Sequence, residues 1–308
     1  MSVIAPYILQ GGRVEPYCSL TEVKFSPTAA AVDFSNLVEN GAQTAQDRAL
    51  SELITRASAK IDTYCLGQYG TLCATSSTEN GRYKIDRFGR FKIAPAFKPV
   101  IEVTNFTYGA NMGQVYNVPV STQNTWIERE HIVFQAQGAA SVNAVAGMQA
   151  LSWIIGQPQS NEYYCEWTYV NGWANSFTTA TSNIGDTAIS VKDATGFVAG
   201  QNFTLWDGMN DEYCQVASTY TTGNTLPLVT GLQYKHGSGC NASTLPATVK
   251  QACIHFVVGM VKDRGQGGVV LTEMGADTIV AAKSGLSQED ELRGYDLLDE
   301  FKSVWGRT

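Results

Sequence analysis

The sequence predicts an α+β protein: long helices packed with a β subdomain, plus an inserted small all-β barrel or sandwich module. Three observations carry this expectation. Residues 44–66 and 245–264, far apart in the chain, place apolar side chains at helical spacing. From Asn80 to Tyr169 the apolar pattern switches to a period of two. Residues 178–245 break into short strand-like runs, with turn residues roughly every eight to twelve positions. The expected organisation is an N-terminal arm over 1–43 and a helix plus β subdomain over 44–177. The inserted module follows over 178–245, and C-terminal helices over 246–308, the first packing with 44–66.

Residues 1–43 show no firm period, with 32–37 a short helix or packing arm. The first long helix has its buried stripe at Leu50, Leu53, Ile54, Ala57, Ile61, Tyr64 and Cys65. Thr44 followed by Asp47 resembles a capping box with Asp in place of Glu, and Gly67 suits the stop. Next, Tyr83, Ile85, Phe91 and Ile93 alternate with Arg82, Lys84, Asp86, Arg90 and Lys92, a half-buried strand or hairpin turning at Phe88-Gly89. Further strands are expected over 100–108, 131–135, 151–155 and 163–169. In the module, strands over 187–191, 202–206, 212–217 and 225–229 are punctuated by Gly185-Asp186, Asp207-Gly208 and Thr222-Gly223-Asn224. The second long helix has its stripe at Val249, Ala252, Cys253, Phe256, Val257, Met260 and Val261. Thr244 is its expected N-cap, Pro246 fits the first turn, and Lys262, Arg264 and Gly265 suit its end. A third helix is expected over 287–305. Its first turn is acidic, and its apolar stripe is Leu292, Tyr295, Leu298 and Phe301, followed by Trp305.

The composition and motifs argue against catalysis. Only three histidines occur, and no GxSxG, HExxH or P-loop. The run from Asp207 to Glu212 fails the calcium-loop pattern and reads as a hairpin turn. Gly265-Gln266-Gly267-Gly268 follows a helix, which makes it a poor phosphate cradle. The seven cysteines include no CxxC, and Cys253 and His255 point to different helix faces, so no metal ligands and no cofactor are expected. A net charge of −7 excludes a general nucleic-acid binder. No basic residue precedes Arg13, Pro6 interrupts the only early apolar run, and the apolar helix at 252–261 is too short to span a bilayer. The expectation is a soluble chain that folds in a cytoplasm.

Two charged features stand out. Arg82, Lys84, Arg87, Arg90, Lys92 and Lys98 lie close together with Asp86 as the only nearby acid. They form either a solvated strand face or a ridge toward DNA or an acidic partner. The acidic C-terminal helix either folds back on its own domain or presents its aromatic stripe to a partner.

The order of parts resembles a family. ALSELITRASAKIDTYC comes first, then FKPVIEVTNFTYG, EWTYVNGWAN and LPATVKQACIHFVVGMVKDR, then the acidic closing helix. This is similar to the head-to-tail connector (adaptor) proteins of long-tailed bacteriophages. Compact members run directly from a Tyr-x-x-Gly strand, here Tyr169 to Gly172, to a Pro-initiated helix ending in Arg, matched here at Pro246, Lys250, Ala252 and Arg264. The segment DTAISVKDATGFVAGQNFTLWDG is similar to a small β module inserted in various phage structural proteins, and with the Gly-rich 265–285 it departs from the compact members.

The resemblance implies a structural virion protein without enzymatic activity, assembled in the host cytoplasm and resident at the neck. It would form a homo-oligomeric ring of about twelve subunits. That ring would join the portal protein to the head-completion (stopper) or tail protein and extend the DNA channel. Genomic DNA would pass through without specific binding, and no membrane would be contacted. Leu292, Tyr295, Leu298, Phe301 and Trp305 become the candidate portal or subunit interface. Arg82, Lys84, Arg87, Arg90 and Lys92 become an inter-subunit or outer ridge. The rival expectation is a β-rich adhesin or tail-fibre protein whose module stacks a receptor glycan on Phe203, Trp206, Tyr213, Tyr220 and Tyr234.

Overall fold

The computed structural model describes residues 15–302, except 31, 36, 39–40, 67–69, 87, 129–130, 136–161 and 264–287. Gly67, Arg87, Gly265, Trp305, the 151–155 strand and the 265–285 stretch lie outside the described residues. The chain divides into two units, 1–73 with 174–308, and 74–173.

The expected α+β class is overturned. The chain is mostly small antiparallel sheets with few helices, 33% strand against 28% helix. Four separate sheets of two to four strands account for the strand content. The physical reason lies in the length of the runs. Among the described residues only two helices are long, whereas many short runs pair locally as strands.

The first unit begins with a short helix, α1 (Leu20–Phe25), fixed by a capping box in which Ser19 and Glu22 satisfy each other's backbone N–H groups. Helix α2 spans Gln43–Leu66. Its cap differs from the expected one. Thr44 lies inside the helix, the Ala42 carbonyl accepts from Ala45 and Gln46, and the Asp47 carboxylate takes Lys24 and Gln43. The Gln46 amide bonds both N–H and C=O of Val38 at 2.8 Å, so a side chain farther along closes the helix entry.

The second unit contains β1 (Thr75–Lys84), β2 (Arg90–Ile93), β3 (Val100–Asn111), β4 (Gln114–Val118), β5 (Thr125–Glu128), β6 (His131–Gln135) and β7 (Glu162–Asn171). One sheet has the order β1-β7-β3-β4 and the other β2-β6-β5. β1 and β7 pair without interruption from Thr75↔Asn171 to Lys84↔Glu162. An aromatic core joins Phe91, Phe106, Tyr108, Phe134, Trp167 and Tyr169, with the Phe106 and Phe134 rings stacked at 3.9 Å. At the β1–β2 turn the Asp86 carboxylate accepts from the N–H groups of Phe88 and Arg90, and Gly89 takes φ 75°.

The first unit resumes with β8 (Asn175–Phe177), β9 (Ala188–Ser190), β10 (Asn202–Trp206), β11 (Glu212–Gln215), β12 (Thr225–Pro227) and β13 (Asn241–Ser243). They form a sheet β11-β10-β13-β8 and a ribbon β12-β9 around a core that includes Ile189, Phe203, Leu205, Val216, Leu226 and Ala242. The two ends of this region meet. Asn175 pairs with Ser243, and the Thr244 N–H donates to the Ala174 carbonyl at 2.8 Å.

Helix α3 spans Ala247–Asp263. Thr244 is not its cap. The Pro246 carbonyl accepts the first helical N–H groups, from Val249 and Lys250, while the Thr244 hydroxyl donates to Ala174. α2 and α3 pack together, with Ser58 Oγ 3.8 Å from Cys253 Sγ. A C-terminal helix over 288–296, followed by a turn of 3₁₀ helix at Asp299–Phe301, docks on this pair. Tyr295 lies 4.6 Å from the Tyr64 ring and 5.0 Å from that of Phe256. A Cβ on Gly294 would sit 2.8 Å from the Phe256 ring, so a glycine lets the helix approach this closely.

Candidate functional site

The first unit holds a groove of about 620 Å³. Cys18, Ser19, Thr21 and Phe25 form one side, Ser51 and Ile54 of α2 contribute to it, and Asp207, Met209, Lys235 and Cys240 form the other. Phe25 and Met209 leave large apolar surface at its mouth, 53% and 70% exposed.

The wall of the groove is a pair of interlocked turns. Asp207 Oδ1 accepts from the N–H groups of Met209 (2.8 Å) and Asn210 (2.5 Å), and Asp211 Oδ1 accepts in return from Asp207 and Gly208. Gly208 takes φ 85°, and a Cβ there would lie 2.8 Å from the Thr21 carbonyl oxygen, so only glycine lets this turn rest on α1.

Behind the turn sits His236, fully buried. Its Nδ1 is 2.9 Å from Asp207 Oδ2 and its Nε2 is 3.2 Å from Glu212 Oε2. Glu212 also accepts from the N–H groups of Gln233 and Tyr234, which fixes its carboxylate. The Cys240 thiol completes the group, so that one ligating atom each of Asp207, His236 and Cys240 lie within 4.8 Å of one another. Burial pushes the Cys240 thiol up to about 11. Burial also acts to raise the Asp207 carboxyl, but the N–H groups of Asn210 and Met209 and the neighbouring His236 outweigh it and hold it below the usual range.

Two further polar groups serve packing. Lys250, 2% exposed, donates to the Tyr17 carbonyl at 3.0 Å, to Glu22 Oε1 at 2.5 Å and to Asn241 Oδ1 at 2.6 Å, so all three ammonium protons have acceptors. Asp62 accepts from the Tyr17 hydroxyl and from the Leu72 N–H at 2.9 Å. Burial outweighs these bonds and pushes its carboxyl from 3.8 to about 6. The native state therefore holds this proton more tightly than the unfolded chain does. The resulting contribution to stability is present below the ordinary Asp value and is lost as pH rises toward about 6. Asp62→Asn cannot titrate, so its stability relative to the parent chain should increase from about pH 4 to about pH 6.5. Denaturant midpoints at the two pH values check this; a constant difference would contradict it.

The residues singled out from the sequence fall as follows. Arg82 and Lys84 are exposed on β1, Lys84 within 3.6 Å of Glu162. Lys92 is exposed on β2, and Arg90 pairs with Asp86 at 2.9 Å while lying over the Phe88 ring. Lys98 is engaged by its surroundings. In the C-terminal segment Leu292 is 63% exposed, Leu298 is fully buried, and Tyr295 and Phe301 are half-buried. Tyr295 and Leu298 are thus occupied within their own unit by the docking described above. Of the aromatics proposed for sugar stacking, Phe203 is core, Trp206 lies 4.9 Å under the Lys250 ammonium and the Tyr220 hydroxyl bonds Gly223. Tyr213 and Tyr234 are exposed.

The sequence reading assigned no ligands to the Asp207, His236 and Cys240 group. Asp207 lies far from the other two in the chain. The available signal was His236-Gly-Ser-Gly-Cys240, two metal-ligating residue types spaced by small residues that can turn tightly.

Among the described residues no helix is long and apolar enough to cross a membrane. Comparison with known proteins returns no matching family model, curated protein or solved structure.

Proposed function

We propose that this chain is a structural protein of a phage virion. In this reading it forms a ring at the neck, joins the portal to the stopper or tail, and extends the DNA channel. The observation that carries the reading is the closure at Ala174 and Thr244, whose backbones bond at 2.8 Å. Strand β7, with Tyr169 near its end and Gly172 just past it, leads into Ala174, and Thr244 leads through Pro246 into α3. With the β8–β13 excursion set aside, the chain runs from the Tyr-x-x-Gly strand to the Pro-initiated helix, the direct path of the compact adaptors it resembles. The exposed Arg82, Lys84 and Lys92 are available to a neighbouring subunit or the outer surface. Leu292 is the apolar residue the docked C-terminal helix still offers a partner.

The reading makes a positional prediction. Antibody–gold labelling of virions carrying this protein should place it at the head–tail joint. Label at fibre tips would overturn the neck reading and favour an adhesin.

A further inference from the structure

We propose that Asp207, His236 and Cys240 form a site for a zinc-class divalent metal ion, with one coordination position open to the groove.

The imidazole of His236 carries the argument. It is fully buried with a carboxylate oxygen against each ring nitrogen, Asp207 Oδ2 at 2.9 Å and Glu212 Oε2 at 3.2 Å. A neutral imidazole donates from one nitrogen only. The other then turns its lone pair toward a carboxylate oxygen, a pairing of two donor atoms that a metal ion can bridge. The position of Cys240 favours the metal. Its thiol is a third metal-ligating group beside the carboxylate and the imidazole, within 4.8 Å of both other ligating atoms.

The supporting contacts match what a metal site needs. Glu212, fixed by the N–H groups of Gln233 and Tyr234, accepts Nε2–H and leaves Nδ1 as the ligating nitrogen. Asp207 Oδ1 is held by the N–H groups of Met209 and Asn210, which leaves Oδ2 as its ligating oxygen. Cys240 is anchored through its N–H, which donates to Thr178 Oγ1 at 3.0 Å.

The donor set of one sulfur, one nitrogen and one oxygen suits zinc; calcium and magnesium require oxygen ligands. Zinc bond lengths of about 2.0–2.3 Å put tetrahedral ligands roughly 3.3–3.7 Å apart, so adjustments of about an ångström close the site. Asp207 and Cys240 line the groove, which supplies both an entry path and the fourth position, for water or a partner's side chain. The inference does not depend on the neck reading.

The test uses the full chain. Dialysis against zinc followed by elemental analysis should give one zinc per chain, with a dissociation constant of about a micromolar or tighter. Cobalt in its place should show thiolate-to-metal charge-transfer absorption. Cys240→Ser should abolish that band, and Asp207→Asn should weaken zinc binding at least about tenfold while its amide oxygen still accepts the turn's N–H groups. Glu212→Gln, one shell out, should weaken binding about 10–100-fold. If Cys240→Ser fails to fold, Asp207→Asn and Glu212→Gln decide the matter. Absence of stoichiometric zinc in the parent chain, or parent-like binding in these variants, would overturn the proposal and leave His236 as a hydrogen-bonded clasp between two carboxylates.

Discussion

Replacing Lys250 with Met is expected to destabilise the protein by about 3–5 kcal/mol, because it leaves a buried carboxylate without its cation. The Lys250 ammonium reaches Glu22 at 2.5 Å, and both side chains are nearly excluded from solvent, 3% and 5% exposed. It also satisfies Asn241 Oδ1 and the Tyr17 carbonyl, so the substitution strands three acceptors in a low-dielectric setting. Met fills much of the same volume, so the loss is electrostatic. A compensating change sharpens the test. Glu22→Gln removes the stranded charge yet keeps an acceptor for the Ser19 N–H, and the double variant should recover most of the loss. The effect also depends on pH. Burial raises the Glu22 carboxyl, opposed by Lys250 and Ser19. The folded state therefore binds that proton more tightly than the unfolded chain, and stability declines as pH rises above the ordinary Glu range. Without Lys250 this decline steepens, so the single variant should suffer more at pH 8 than at about pH 4.5. Denaturant titration of the three proteins measures all of this, and a single-variant loss below about 1 kcal/mol would mean the pair is not buried as described.

Phe256→Ala should cost about 3–5 kcal/mol as well, for a different reason. Phe256 is 1% exposed on α3, with the Tyr295 ring edge-on at 5.0 Å and the Lys60 ammonium 4.9 Å from its centroid. Its removal leaves a cavity where the C-terminal helix meets the α2–α3 pair. The helix itself is held by Lys60 to Glu291, Lys262 to Asp290 and Tyr64 to Asp299. The Lys60–Glu291 pair is partly exposed and contributes little, whereas Asp290 is buried and also meets His255 Nδ1 at 3.3 Å, so it adds to the aromatic contact in holding the helix. Hydrogen exchange should show the amides of 288–296 losing protection first in the variant. Unchanged protection there, with full loss of stability elsewhere, would separate the helix from this core.

The strands were legible in part, since β4, β5, β8 and β13 were not expected. β6 and β10 fall where strands were expected, at His131–Gln135 and Asn202–Trp206, although each buries three consecutive residues instead of alternating. The buried stripe of α2 was readable except for Tyr64, which is half-buried, whereas α3 buries every residue from Ala252 to Gly259 and leaves the expected Met260 half-buried. The fold class was not legible, because the sequence overstated how much of the architecture two long helices define, when strand in small antiparallel sheets exceeds helix, 33% against 28%. The caps also went astray. Thr44 lies inside α2, where the Ala42 carbonyl accepts the first helical N–H groups, and the Thr244 hydroxyl donates to Ala174 while the Pro246 carbonyl accepts the first N–H groups of α3. Conversely α1 was missed although Ser19-x-x-Glu22 is a capping box, since six residues are too few to show a period. The polar interior was least visible. Lys250 meets Glu22 across 228 positions, and Asp207 meets His236 across 29, pairings that only the folded backbone creates.

The native mass of the purified full chain tests the ring reading most directly. Native mass spectrometry, alone and with the portal of the same phage, should give a closed homo-oligomer of about twelve subunits that binds the portal as one body. A chain that stays monomeric under both conditions would contradict the account.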